Sequence, residues 1–282
     1  MLKRFLRTCF ETARTWMQEP ADIRNDPTAY SLLNSLLDKL VSEEGGAQRP
    51  NYAWGLLHGA HMAKGLGFSQ ISAIEFGVAG GNGLLALDRI AIAVEAVLGV
   101  KVDVYGFDTG VGLPKPVDYR DLPNLFHAGD FPMNKEALQL KLKRAQLVLG
   151  PVRETLPAFL AAKRAPVGFL SIDVDLYSST VDALKVLDGH ADSLLPRVHC
   201  YFDDILGFTY NEFTGERLAI NDFNNTHSTR KISPIFGLKY FMSSQFKSAS
   251  WNEQFFMAHV FDHPFYGEND GLSRMKRLDL RT

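Results

Sequence analysis

Cysteine is scarce. Cys9 and Cys200 are the only two in 282 residues, too few for a disulfide framework or a cysteine-rich metal site. Net charge is nearly absent as well. Thirty Lys and Arg against 32 Asp and Glu leave −2, and no basic block stands out, so the charge makes no case for nucleic acid. No apolar run approaches the roughly 20 residues that span a bilayer, and no repeat or low-complexity tract is visible. The N-terminus lacks the continuous apolar core and small-residue cleavage site of a secretory signal. Met1 to Arg7 is basic, and Phe5, Leu6, Phe10 and Trp16 form an amphipathic stripe, but Glu11 and Glu19 argue against a transit peptide. The expectation is a soluble, cytoplasmic protein whose N-terminal helix lids a site or joins two copies of the chain.

What is present is an ordinary globular composition, 46% hydrophobic and 22% charged, with a clear change of texture along the chain. Leu32, Leu33, Leu36, Leu37 and Leu40 recur at helical spacing, Glu43–Gln48 is a polar break, and Tyr52–Gly65 is helical again. Residues 1–68 therefore read as a helical extension, and 69–282 as the main domain. There, short apolar strands alternate with helices: strands at Ile71–Val78, Val102–Phe107, Gln146–Leu149, Val167–Ile172 and Val198–Phe202, helices at Leu84–Val97, Asn134–Ala145, Ser178–Leu195 and Gly215–Asn225. Ser179 and Asp182 fit an S/T-x-x-D/E helix opening. Parallel neighbours need long crossovers, so the order predicts an α/β, doubly wound, mostly parallel Rossmann-like sheet. The aromatic-rich runs Gly237–Met242 and Gln254–Phe261 have no helix between them and predict an antiparallel pair at the sheet edge.

Chemistry concentrates at the strand ends. Glu75-Phe76-Gly77-Val78-Ala79-Gly80-Gly81-Asn82-Gly83 closes the first strand. Glycines there let a ligand lie against bare backbone, and the helix start beyond favours an anionic group. Asp108, ending the second strand, can accept from two ribose hydroxyls, which does not separate NAD from S-adenosylmethionine. The spacing G-x-x-G-G-x-G departs from the dinucleotide pattern G-x-G-x-x-G, and no Tyr-x-x-x-Lys pattern of a dehydrogenase is present. Asp173 and Asp175 follow the fourth strand; Asp203 and Asp204 follow the fifth. Carboxylates gathered in one cleft raise each other's pKa, and Mg²⁺ or another hard cation relieves the repulsion. Such a cation beside a methyl donor lowers the pKa of an attacking hydroxyl and orients it.

These stretches resemble the macrocin O-methyltransferase family of class I S-adenosylmethionine-dependent methyltransferases, which modify sugars of natural products. The likeness lies in IEFGVAGGNG (74–83), YGFDTGVGLP (105–114), GPVRETLP (150–157), SIDVDLYSSTVDAL (171–184) and FDD (202–204), and covers about residues 70 to 230. It implies O-methylation of a small-molecule hydroxyl. Glu75, Gly77 and Gly81 would line the methionine part of the cofactor and Asp108 the ribose, with Val78 and Gly80 also binding the cofactor. Asp173, Asp203 and Asp204 would be metal ligands, with Asp175 beside them or replacing one, and Asp173 would touch both cofactor and reaction. The family also implies a histidine base from the loop after the second strand, for which His127 in LFHAGDF is the candidate. The chain departs from the pattern at Gly110-Val111, at His199-Cys200 before Asp203, and in the tail HVFDHPFYG (259–267). Other readings stand beside this one: a non-catalytic nucleoside-binding sheet protein, and a metal-dependent D-x-D hydrolase or glycosyltransferase built on Asp173-Val174-Asp175. His190, His199 and His227 do not pair at ligand spacing and read as core or surface residues.

Overall fold

The computed structural model describes residues 29–42 and 48–268; the amphipathic stripe of the first 16 residues lies outside them. Two helices, α1 (Ala29–Ser42) and α2 (Pro50–Gly65), precede β1 (Gln70–Phe76), α3 (Asn82–Leu98) and β2 (Lys101–Asp108). Next come a short α4 (Lys135–Gln139), β3 (Gln146–Leu149), α5 (Val152–Ala161), β4 (Val167–Ile172), α6 (Tyr177–Leu184) and β5 (Leu194–Phe202). The chain closes with α7 (Gly215–Thr226), β6 (Arg230–Pro234) and β7 (Phe255–Val260). No helix among the described residues is long and apolar enough to cross a membrane.

The seven strands form one sheet in the order β3-β2-β1-β4-β5-β7-β6. Pairs within the first five are parallel, and β7 runs antiparallel to both β5 and β6. This is the expected doubly wound sheet with a C-terminal antiparallel edge. The chain order reverses between β1 and β4, which opens a crevice at the strands' carboxyl ends.

Alternation along the strands sorts the core into two layers. Phe169 and Tyr201 face α2 and α3 and pack with Tyr52, Leu56 and Leu87. Leu170, Ile172 and Phe202 face the other way, onto Phe159, Leu184 and Ile220 of α5, α6 and α7. The same period of two aims Glu75, Ser171 and Asp203 at the α2 side. Helix α2 is buried almost all round, with 13 of its 16 residues inside, as a helix wedged between sheet and neighbouring helices must be.

Four expectations need correction. The helix expected over Asn134–Ala145 ends at Gln139, because buried Asp88 captures the amides of Lys143, Arg144 and Ala145 and pulls the chain out of helical register. The helix expected to reach Leu195 stops at Leu184 and passes through 3₁₀ turns before β5 begins at Leu194. Its N-cap is Leu176 rather than Ser179, and the free amide of Ser178 goes to Asp121. Finally, Gly237–Met242 contains a 3₁₀ turn, and the partner of β7 is Arg230–Pro234. That edge strand buries only Ile232 and ends in proline, so it carries little of the apolar signal by which strands are read.

Candidate active site

A cavity of about 650 Å³ opens at the carboxyl ends of β1, β2, β4 and β5. It collects Glu75, the glycine loop, Asp108 and all four aspartates, Asp173, Asp175, Asp203 and Asp204. Three of the four non-glycine residues with positive φ among the described residues line it, Ala79 at 45°, Phe131 at 60° and Asp175 at 60°. Such strain persists only where surrounding structure dictates it, commonly at functional sites.

The glycine loop is shaped by its neighbours. Gly77, at φ +85°, lies so close to β4 that a Cβ there would come within 1.7 Å of the Asp173 carbonyl oxygen. Asp108 pins the loop from the side: its Oδ2 accepts the Val78 and Ala79 amides at 2.9 Å each, and its Oδ1 accepts the Gly110 amide at 2.6 Å. The expected ribose acceptor is therefore first a brace between two loops. With two lone-pair sites per oxygen, Oδ2 is fully engaged, and Oδ1 keeps one site for a ligand hydroxyl.

Glu75 is 1% exposed, and burial pushes its carboxyl up to about 8. The Tyr52 hydroxyl donates to its Oε1 at 2.8 Å and in turn accepts from the Ser171 hydroxyl at 2.8 Å. Its Oε2 is buried without a hydrogen-bond partner. A Cβ on Gly83 would stand 1.9 Å from Oε1, so the glycine at the start of α3 makes room for this side chain.

The aspartates crowd one another as anticipated. Burial, then Asp203 and Asp204, push Asp173 up to about 9. Burial, then Asp204 and Asp203, push Asp175 up to about 7, and burial takes Asp204 to about 6. Hydrogen bonds hold the group in place. Tyr210 donates to Asp204 Oδ1 at 2.8 Å, Tyr201 donates to Asp203 Oδ1 at 2.8 Å, and the Asp204 amide donates to Glu216 Oε2 at 3.0 Å. The second carboxyl oxygen of Glu216 is buried and unpartnered, and burial followed by Asp204 and Asp173 raises this group well above the usual range. Among the described residues, no three His, Cys, Asp or Glu side chains are grouped so that they could hold a metal ion. The four aspartates that line the cavity offer only oxygen donors, the type that hard cations prefer.

His127 does not reach this cavity. Its side chain is 72% exposed, with Nδ1 3.7 Å from Asp130, while its loop neighbours Phe126, Asp130 and Phe131 form part of the wall. The loop is oriented by other contacts. Buried Asp121 accepts the Val117 amide and both the amide and hydroxyl of Ser178, and so fastens the loop after β2 to α6.

Sequence reading missed four contributors: Arg49, Tyr52, Tyr210 and Glu216. Glu216 stands in the first turn of a helix, where an acidic residue reads as a dipole partner. Tyr52 carries only the pattern of a buried helix. Arg49 immediately precedes α2 and lines the cavity. Burial opposes its charge, but Tyr52, Asp173, Glu75 and Asp203 outweigh burial and hold the guanidinium above its ordinary value.

No protein-family model and no curated protein matches the sequence. Solved structures with a similar outline include the calicheamicin methyltransferase CalS11, at 20% identity and TM-score 0.46 over 73% of this chain and 90% of that one. The O-methyltransferase NovP is similar at 14% identity and TM-score 0.46, over 71% and 91% of the two chains. An O-methyltransferase from Bacillus cereus in complex with SAH is similar at 15% identity and TM-score 0.40, over 86% and 92%. At these values the likeness assigns this chain no residue and no activity.

Proposed function

We propose that this protein is an S-adenosylmethionine-dependent O-methyltransferase acting on a hydroxyl of a small molecule, assisted by a divalent cation such as Mg²⁺. One observation carries the reading: a single cavity joins the glycine loop and Asp108 to aspartates that end two successive parallel strands. The first half suits a nucleoside with a charged tail, the second an activated hydroxyl.

In this reading the bare backbone from Gly77 to Gly81 receives the methionine portion, and Asp108 Oδ1 accepts a ribose hydroxyl. Asp173, Asp203 and Asp204 would hold the cation, with Asp175 beside them. A cation there supplies charge that lowers the pKa of a bound hydroxyl. The chain's own contribution is placement. Tyr201 and Tyr210 fix the carboxylates they donate to, and Asp121 fastens to α6 the loop whose Phe126, Asp130 and Phe131 line the cavity. Methyl transfer requires an in-line approach of oxygen to the sulfonium carbon, so such placement supplies much of the rate. A sugar of a natural product is the acceptor class that the sequence resemblance implies.

The test is calorimetric titration of the purified protein with S-adenosylhomocysteine, with Mg²⁺ and then with EDTA, and with NADH in parallel. One-to-one micromolar binding of S-adenosylhomocysteine is expected. Binding of NADH alone, or of neither, refutes the proposal.

A further inference from the structure

We propose that the carboxyl edge of the sheet carries a docking surface for an anionic lipid bilayer. It is built from aromatic side chains on the loop after β5 and on the connection between β6 and β7, together with Lys239 and Lys247 of that connection. The inference does not depend on the chemistry of the cavity. Three observations converge on it.

The first is placement. Among the described residues nine aromatic side chains are exposed, and seven of them lie in loops at the carboxyl edge, after β2, after β5 and between β6 and β7. The other two, Phe261 and Phe265, follow β7 at the opposite edge. Because β7 runs antiparallel to β5, the connection that enters it crosses the same edge as the cavity, and Gln254 Nε2 there donates to the Asp203 carbonyl oxygen at 2.8 Å. Phe208, fully exposed, and Phe213 flank Tyr210 of the cavity wall in the chain; Phe236 is 84% exposed and Tyr240 75%. Single exposed rings carry no meaning, whereas rings gathered on one part of a surface mark a site of interaction. The second observation is support. The connection buries Leu238, Met242 and Phe246. It is fastened to α1 by Asn34, whose Nδ2 donates to the Phe241 carbonyl oxygen at 2.7 Å, and by the Ser243 hydroxyl, which donates to Asp38 at 2.8 Å. The stretch thus has its own apolar anchors and holds Phe236 and Tyr240 outward. The third is charge. Residues 223–252 contain no Asp or Glu. Lys239 and Lys247 are exposed within that span, and the Lys239 ammonium lies 5.4 Å from the Tyr240 ring centroid. Rings interleaved with lysines suit an anionic bilayer surface: the rings enter the boundary of headgroups and acyl chains, and the ammonium groups meet headgroup charge. A second copy of the chain fits less well, since lysine is depleted from protein interfaces and a two-fold contact would set each patch of lysines against itself.

The experiment is co-sedimentation of the full chain with vesicles of phosphatidylcholine alone and of phosphatidylcholine mixed with phosphatidylglycerol. Wild type is expected to bind the mixed vesicles, and to bind phosphatidylcholine roughly tenfold more weakly. Phe236→Ser combined with Tyr240→Ser should weaken binding to the mixed vesicles roughly tenfold or more. Lys239→Glu combined with Lys247→Glu should bring the mixed vesicles down to the level of phosphatidylcholine. Thermal unfolding checks that each variant folds; should the aromatic pair fail to fold, Phe208→Ser on a separate loop and the lysine pair carry the test. A wild type that sediments with neither vesicle overturns the inference, as do variants that bind like wild type. A wild-type dimer that Phe236→Ser with Tyr240→Ser splits, with vesicles left unbound, overturns it in favour of a second copy. None of these outcomes touches the cofactor reading, whose titration needs no lipid.

Discussion

The brace at Asp108 allows a perturbation to be worked through. In Asp108→Asn the side chain keeps its shape but has one acceptor oxygen instead of two. Turned toward the glycine loop, that oxygen can still accept from Val78 and Ala79, while its amide then faces the Gly110 N–H, donor against donor. The loss is the 2.6 Å bond to Gly110 together with the charge that strengthened the two 2.9 Å bonds. A hydrogen bond to a charged group is worth about 1.5–3 kcal/mol and a neutral one about 1. Asp108 is partly exposed, so water recovers some of the loss, and the net cost should be about 2–3 kcal/mol. For a chain of this size each kcal/mol moves Tm by roughly 2–4 °C, so thermal unfolding should show a fall of roughly 5–10 °C. S-adenosylhomocysteine affinity should fall alongside, because the loop proposed to receive the ligand is no longer held. Asp108→Ala should cost at least as much. A Tm within about 1 °C of wild type in both variants would refute the reasoning, since the three bonds would then contribute nothing to holding the loops.

Other perturbations test other parts of the site. Glu75→Gln should stabilise the protein more at pH 9 than at pH 5. The folded carboxyl, raised to about 8 by burial, holds its proton where the unfolded one does not, so wild-type stability falls as pH climbs from the unfolded pKa through about 8. The neutral variant escapes that loss, by a few kcal/mol at the alkaline end, and equal effects at the two pH values would contradict the assignment. Asp203→Asn should abolish any Mg²⁺-dependent rise in Tm. If the proposed cation binds, Mg²⁺ at about ten times its Kd should add about 1.4 kcal/mol to wild type, and an undiminished rise in the variant would remove Asp203 from the proposed cation site. His127→Ala should leave stability within about 0.5 kcal/mol and S-adenosylhomocysteine affinity unchanged, as befits an exposed side chain outside the cavity. A large loss of binding would show that the loop closes further around the ligand.

The sheet was legible because its signals are local. Apolar runs of strand length, each ending on glycine or aspartate, place Ile74, Phe107, Ile172 and Phe202 in a core and leave Gly77, Asp108, Asp173 and Asp203 at one edge. Parallel crossovers then bring those edges together without knowledge of any contact. The elements misjudged were those decided at a distance. Nothing near Leu140 announces that Asp88, some 50 residues earlier, will take the amides that end α4. Nothing in RKISP reveals an edge strand, because its pairing with β7 needs backbone rather than apolar side chains.

The candidate site divides along the same line. Sequence by itself determined which charged residues crowd the carboxyl edge of the sheet, since strand period and crossover handedness fix that placement. Tertiary structure decided what each of them does: that Asp108 braces two loops, that His127 faces solvent, and that Glu216 lies beneath Asp204. It also decided that Arg49, just before a helix read as part of an extension, lines the cavity, and that Tyr52 in that helix donates to Glu75. The physical reason is that a hydrogen bond between Tyr52 and Glu75 depends on how a helix docks on a sheet. Docking is set by the packing of both surfaces at once, and no single stretch of sequence contains it.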